Sequence, residues 1–437
     1  MKFYSTNDIS KRVSLRQAIL QSLPPDNGLY MPVEIPNLEN SVIRDIRELT
    51  LPELASRVST ALLSEDLSES TINQLCQSAI NFPAPLIDLD EQLSVLELWH
   101  GPSLAFKDFG ARYMAALMSE LVRDEERTLT ILVATSGDTG GAVAAGFLGV
   151  PNVEVIILYP SGRVSPLQEK QLTTLGHNIT ALEIDGTFDD CQTLVKTAFL
   201  DAEVNDHYLL SSANSINISR LIPQSFYYFE AYRQWLERHE GPLVFCIPSG
   251  NFGNLTAGLL AKKMGLPIHQ LIAATNANDV VPRYLQSGEY SPRPSQATIS
   301  NAMDVGAPSN FRRMEDMYGH MWKDMTNDIV GYSYTDGETK AAILDIKSKY
   351  DYTMDPHGAV GFLAAKDFQK QNPGCHVIIL ETAHPAKFLP VMNPILGEID
   401  IPDRLAQLSS LKKTATPMSK DYAAFRTWIL RRASLQQ

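Results

Sequence analysis

Lys107 stands in the stretch HGPSLAFKDFG, His100 to Gly110, between aromatic Phe106 and the carboxylate of Asp108. An amine among apolar neighbours loses hydration that favours its charge. It then titrates lower and becomes a usable nucleophile toward a carbonyl. The plainer reading of one such lysine is that it flanks a helix, because the helix-like run FGARYMAALMSELV follows directly. Other constellations argue for chemistry. The segments TILVATSGDTGGAVAAGFLG and LVFCIPSGNFGNLTAGLLAKKMG each run apolar strand, glycine turn, helix. Such a turn aims backbone N–H groups outward at the positive end of the helix dipole and holds an anion without a charged side chain. A tight corner that merely needs glycine is the alternative for either turn alone. The second turn puts two glycines and two asparagines into five residues (Gly250, Asn251, Phe252, Gly253, Asn254), a density that suits a bound phosphate better than a corner.

Two smaller pieces join them. In ETAHPAKF, Thr382 follows the apolar run CHVIIL, at the carboxyl end of a strand, where open α/β sheets place their ligands. A threonine there also caps turns. In SANSINISR, Asn214, Ser215, Asn217 and Arg220 crowd polar donors against one guanidinium, a composition suited to an oxyanion. A capped helix start followed by an exposed arginine is the other reading. Neither GxxxxGK nor GxGxxG occurs, so ATP and dinucleotides are disfavoured. The absence of GxSxG and HExxH removes serine-hydrolase and zinc-protease readings. The nine histidines show no metal-ligand spacing and are expected to be structural. His100 is set slightly apart by its place beside the lysine motif.

The elements that must position these residues are readable from periodicity. Strands are expected at SVLELWH, TLTILVAT, VEVIILYP, NITALEID, PLVFCIPS, HQLIAATN and CHVIILET, with helices such as DDCQTLVKTAFLDAEV between them. Continuous apolar strands separated by helices predict mostly parallel sheets covered on both faces, an α/β class built as two three-layer α/β/α domains. A chain of 437 residues has room for roughly two or three domains. The expected division is 1–95, a mostly helical N-terminal region broken by prolines; 96–235, a smaller mobile α/β domain; and 236–437, a larger α/β domain. Residues 280–340, irregular and proline-bearing, read as a surface insertion. The tail DYAAFRTWILRRASL reads as an amphipathic helix.

Composition bounds the rest. With 44% hydrophobic and 20% charged residues the chain suits a globular enzyme. A net charge of −13 argues against nucleic acid or anionic lipid as partners, while leaving room for a small anionic substrate. Cys76, Cys191, Cys246 and Cys375 form no CxxC pair, which fits a reducing compartment. No signal core and no run of about 18 apolar residues is present, so a cytoplasmic protein without a membrane partner is expected.

Taken together, HGPSLAFKDFG, ATSGDTG, PLQEKQ, SSANSINISR, PSGNFGN, SNAMDVGAPSN and ETAHPAKF resemble the fold-type-II pyridoxal-phosphate enzymes, the tryptophan synthase beta-like superfamily. Within it they are similar to the threonine synthase family in its bacterial and fungal form, and the likeness runs from FYSTND near the start to the last helix. The resemblance implies pyridoxal 5'-phosphate as cofactor, linked to Lys107 as a Schiff base. It implies that Gly250, Asn251, Phe252, Gly253 and Asn254 cradle the cofactor phosphate and that the Thr382 hydroxyl meets the pyridine nitrogen. Thr135, Ser136, Gly137, Asp138 and Thr139 match the turn that binds a substrate α-carboxylate. Ser215, Asn217 and Arg220, helped by Lys170, match groups that hold a substrate phosphate. Many superfamily members carry asparagine at the position of Asp138, where the contact is to the cofactor's phenolic oxygen. A second anion there is unfavourable unless one group is protonated, so the role of Asp138 toward the cofactor stays open.

The reaction so implied is O-phospho-L-homoserine plus water to L-threonine and phosphate, a carbon–oxygen lyase reaction by γ-elimination and β-addition of water, ending threonine biosynthesis. Elimination before addition predicts a site that closes over its substrate. A catabolic phospholyase giving 2-oxobutyrate from the same substrate shares the motifs. A non-catalytic binding protein on the same fold is disfavoured by the retained lysine. A monomer without nucleoside activation is expected.

Overall fold

The computed structural model describes residues 1–38, 42–135 and 137–436, so Ser136 of the expected site lies outside the described residues. Two sheets organise the chain. The first has five strands in the order Thr416–Ser419, Ile179–Asp185, Val153–Pro160, Leu129–Ala134, Leu209–Ser212, all parallel. The second has six in the order Ile329–Ser333, Gln270–Thr275, Leu243–Pro248, His376–Glu381, Leu93–Glu97, Leu86–Asp90, parallel except for the last, which pairs antiparallel. Val153–Pro160, Leu129–Ala134, Leu243–Pro248 and His376–Glu381 are buried at every position. That is why they read as unbroken apolar runs: a central parallel strand has helices on both faces and no side to give to water. All seven expected strands occur.

The sheets are assembled from distant segments, so a contiguous division at 95/96 and 235/236 does not describe the layers. Leu93–Glu97, which leads into Lys107, belongs to the six-stranded sheet beside His376–Glu381. The C-terminal strand Thr416–Ser419 and the helix Tyr422–Gln436 return to the five-stranded sheet, where Phe425 and Ile429 pack with Leu182 and Leu194. The N-terminal region carries the helices Leu51–Leu63 and Glu69–Ala79, but also an antiparallel sheet of Lys2–Ser5, Asp8–Ser14 and Tyr30–Pro32. The stretch 280–340 is likewise more than a surface insertion. Ile329–Ser333 is an edge strand of the six-stranded sheet, and Phe311, Arg313 and Met314 are buried. Among the described residues no helix is long and apolar enough to cross a membrane.

Candidate active site

Every loop expected to carry chemistry leaves the carboxyl end of a strand. The Gly137 turn follows Leu129–Ala134, the 250–254 turn follows Leu243–Pro248, and Thr382 follows His376–Glu381. Lys107 is the first residue of the helix Lys107–Leu121, reached by a loop from Leu93–Glu97. That loop is stitched to the Thr382 segment: the N–H of Phe106 donates to the Thr382 carbonyl at 2.8 Å, Ala105 bridges Ala383, and the N–H of His384 donates to the Leu104 carbonyl at 3.1 Å. Leu104 takes φ +58°, a left-handed conformation unusual for a branched residue, so the turn ahead of the lysine is held by its surroundings. Residues 275 positions apart in sequence, Lys107 and Thr382, thus meet through backbone pairing.

Lys107 is half-buried, its Nζ 4.8 Å from the Phe106 ring centroid. Among the described residues no hydrogen-bond or ion-pair partner meets this Nζ. Burial lowers its pKa, Asp138 and Asp355 oppose that, and Lys387 and Arg220 add to it. An unpartnered amine whose charge is disfavoured has the character of a nucleophile toward a carbonyl.

The 250–254 turn is built to leave donors free. Phe252 adopts the left-handed conformation at φ 59° and opens the helix Gly253–Lys263. Among the described residues the N–H groups of Gly250, Asn251, Phe252, Gly253 and Asn254 meet no protein acceptor. The side chains brace the turn from behind. Asn254 Nδ2 donates to the Pro248 carbonyl at 2.9 Å, and Asn251 Oδ1 accepts from the N–H of Ser309 at 2.6 Å. Gly250 is required by close approach: a Cβ there would lie 2.7 Å from Met303 Cα. Thr382 is buried, and its hydroxyl has no protein partner among the described residues. Free donors at a helix start, a free hydroxyl and a free lysine fit a phosphate-bearing pyridine aldehyde.

The Gly137 turn is the opposite wall. Thr135 Oγ1 accepts from the N–H groups of Gly137 at 3.0 Å and Gly140 at 2.8 Å, so its hydroxyl shapes the turn. Gly137, at φ 143°, faces Gln168, whose Cδ a Cβ would approach to 2.8 Å. Thr139 is the second residue of the helix Asp138–Phe147 and half-buried. Asp138 opens that helix. Its Oδ1 accepts from Lys387 Nζ at 2.7 Å and Gln168 Nε2 at 2.8 Å. Burial works against its charge, but Lys387 and Lys107 outweigh that and hold the carboxyl well below the usual range. Asp138 is therefore an ionised, neutralised group.

The substrate-phosphate residues divide. Arg220 is 3% exposed; its Nη1 donates to the Ala213 carbonyl at 2.6 Å and its Nε has no partner. Burial brings its pKa down to about 10, and no carboxylate pairs with it among the described residues. Ser215 Oγ accepts from Asn251 Nδ2 at 2.5 Å, linking it to the 250–254 turn. Asn217 is different: its Nδ2 donates to the Ile19 carbonyl and Ser22 Oγ, both at 2.9 Å, and its Oδ1 caps Ser219. That amide is fully engaged in joining the end of the helix Leu15–Gln21 to the segment after Leu209–Ser212. Lys170 sits two residues, about 200° of helix turn, from inward-facing Gln168, and its Nζ donates to the Leu411 carbonyl. The structure brings neither Asn217 nor Lys170 to the free donors. His100 pairs with Glu97 at 2.8 Å and stacks on Trp99.

Sequence reasoning assigned no role to Lys387, Gln168, Ser309, Asn310 or Arg313. All but Arg313 lie within motifs singled out above, so their signal was composition without an evident task. Arg313 donates to the carbonyls of Tyr30, Ser215 and Ile216, tying three segments behind the site. Burial and the adjacent Asp355 carboxylate push Glu381, next to Thr382, well above the ordinary carboxylate range.

The family model described as pyridoxal-phosphate dependent enzyme matches residues 80–382, and the chain belongs to that family. Fold and site thus define a pyridoxal-phosphate enzyme of fold type II. The models for the threonine synthase N terminus and C-terminal region match residues 2–80 and 358–429. More narrowly, then, the chain belongs to the threonine synthase family. It is 44% identical to the threonine synthase of Escherichia coli over 98% of both chains, and 34% identical to that of Saccharomyces cerevisiae over 92% of both. The crystal structure of the E. coli enzyme superposes with TM-score 0.92 at 43% identity, covering 99% of this chain and 100% of that one. A pyridoxal-phosphate-bound threonine synthase from Brucella melitensis gives TM-score 0.92 at 36% identity, over 99% of each chain.

Proposed function

We propose that this protein converts O-phospho-L-homoserine and water to L-threonine and inorganic phosphate. The observation that carries the reading is a second provision for an anion. The 250–254 turn suffices for one phosphate, that of the cofactor, and Arg220 is a second buried cation, its unpaired Nε lying against Gly110 of the helix that Lys107 opens. A substrate that brings its own phosphate gives that guanidinium its partner.

Pyridoxal phosphate supplies an electron sink that acidifies the α-hydrogen of a bound amino acid. The protein groups do the rest. Lys107 carries the cofactor and, once released, removes the α-proton as general base, a role favoured by burial that works against its charged form. The N–H groups of Asp138 and Thr139, at the start of the helix Asp138–Phe147, receive the α-carboxylate, and Thr139 adds a hydroxyl. Arg220 and Ser215 hold the γ-phosphate and stabilise it as it departs. Asn217 and Lys170 support the fold around this pocket. Loss of the α- and a β-proton and rupture of the γ-carbon–oxygen bond release phosphate with its bridging oxygen. A proton then enters at the γ-carbon, hydroxide from water adds at the β-carbon and a proton returns to the α-carbon, while the remaining proton of water leaves with the phosphate, which balances the atoms. Closure of the five-stranded-sheet half over the substrate excludes stray water, and the enzyme works as a cytoplasmic monomer.

Turnover in 18O-labelled water tests the bond that breaks. Label in the threonine hydroxyl and none in phosphate is expected. Label in phosphate would mean phosphorus–oxygen cleavage, a phosphatase, and would refute the proposal.

A further inference from the structure

Lys387 is 1% exposed in the middle of the site, and the chemistry above does not use it. Its Nζ lies 2.7 Å from Asp138 Oδ1 and donates to the Ser103 carbonyl at 2.8 Å. It comes from the short helix Pro385–Phe388, so the six-stranded-sheet half sends a cation across to the first residue of a helix on the other half. We propose that Lys387 is a positioning residue that occupies Asp138 as its permanent counter-ion, and thereby keeps the amine of Lys107 out of an ion pair.

Asp138 has two lysines within electrostatic reach, Lys387 and Lys107. An amine paired to a buried carboxylate stays protonated and is no nucleophile. The pair that forms is Asp138 with Lys387, with Gln168 Nε2 on the same carboxylate oxygen. The carbonyl of Ser103 holds Lys387 from the other side, so the pairing does not depend on Lys107. The charged groups that act on Lys107 are Asp138 and Asp355, which favour its protonation, and Lys387 and Arg220, which oppose it. Asp108, its chain neighbour, aims Oδ2 at the N–H of Ser103. Lys387 also lowers His384 and Asp108, so its charge is felt throughout the site.

The inference rests on the reading of Lys107 as the lysine that carries the cofactor. Its test is the absorbance of the full-length, cofactor-loaded protein as a function of pH, which reports protonation at the Lys107 linkage independently of turnover. Lys387→Met removes the counter-ion and leaves Asp138 to Lys107, so the transition is expected to rise by about one pH unit. Asp138→Asn should lower it by a similar amount, and Lys387→Arg should restore a wild-type value. The double variant Lys387→Met/Asp138→Asn should fall between the two single variants. Where Lys387→Met alone fails to fold, the double variant titrating above Asp138→Asn supports the same conclusion. Shifts of the same sign in the two single variants, or a double variant equal to Asp138→Asn, would overturn the inference. A wild-type protein with no Lys107-dependent chromophore would overturn the cofactor reading and this inference together.

Discussion

Replacing Gly250 by alanine adds one methyl group where the backbone of another segment already runs. The new Cβ would stand 2.7 Å from Met303 Cα, 3.0 Å from the Ala302 carbonyl oxygen and 3.1 Å from Met303 C. Carbon atoms prefer separations of about 3.5–4.0 Å, so one of the two segments must move by close to an ångström. The 300–304 segment resists: the N–H of Ala302 donates to His357 Nε2 at 3.2 Å, that of Met303 to the Ser300 carbonyl at 3.0 Å, and Asp304 accepts from Thr298 Oγ1 at 2.7 Å. The displacement therefore falls on the 250–254 turn and its free N–H groups. Overpacking of this kind costs about 1–3 kcal/mol, which corresponds to a 5- to 150-fold loss of cofactor affinity if the turn absorbs all of it. Titration of pyridoxal phosphate into the cofactor-free variant, followed by absorbance, measures this directly. Gly253→Ala is the internal control. Its Cβ would find only ordinary contacts, the nearest Asn310 Nδ2 at 3.6 Å, and alanine is the better helix former. The thermal stability of cofactor-free Gly253→Ala should match or exceed wild type, while that of Gly250→Ala should fall. A Gly250→Ala protein that binds the cofactor within twofold of wild type would refute the reasoning about the crowded turn.

Asn217→Ala should cost about 1–3 kcal/mol in urea denaturation, because the acceptors at Ile19, Ser22 and Ser212 lose their donor. Its KM for O-phospho-L-homoserine should not change. Lys170→Ala is expected to leave KM unaltered as well, since its amine is directed to the Leu411 carbonyl. Burial and neighbouring His239 bring His376 down to about 4. The unfolded chain then binds the extra proton, so this group's contribution is present above about pH 6.5 and lost toward pH 4, by at most about 1.4 kcal/mol per pH unit. Denaturation at pH 7 and pH 5 should show a smaller acid loss for His376→Gln than for wild type. Asp108 has the opposite sign: burial pushes it up to about 6, so the folded protein holds the proton more tightly. Its penalty grows as pH rises from about 4 to about 6, and Asp108→Asn should gain stability relative to wild type across that window.

The seven central strands were legible because burial on both faces leaves no ambiguity: VEVIILYP is the strand Val153–Pro160 residue for residue. The edge strands were not. Leu86–Asp90 and Thr416–Ser419 expose much of their length and carry few β-branched residues, and Thr416–Ser419 owes its conformation to a partner, Ile179–Asp185, far away in sequence. The interleaving of the two sheets was hidden for the same reason, since no local pattern says that 93–97 pairs with 376–381. At the site, the free groups were readable from type and place: a lysine at a helix start, a glycine-rich turn, a strand-end threonine. Asn217 shows the limit. Amide and guanidinium side by side suggest a shared anion, but the amide is turned toward the carbonyl of Ile19, which sequence proximity does not reveal. Lys387 shows the converse, a lysine in a recognised motif whose task appears only when Asp138 is seen 2.7 Å away.

The most direct measurement of the central claim is product stoichiometry. The cofactor-loaded protein, supplied with O-phospho-L-homoserine, is expected to release L-threonine and inorganic phosphate in equal amounts, and Lys107→Ala to release neither. Phosphate accompanied by 2-oxobutyrate in place of threonine, or threonine formed undiminished by Lys107→Ala, would contradict the account.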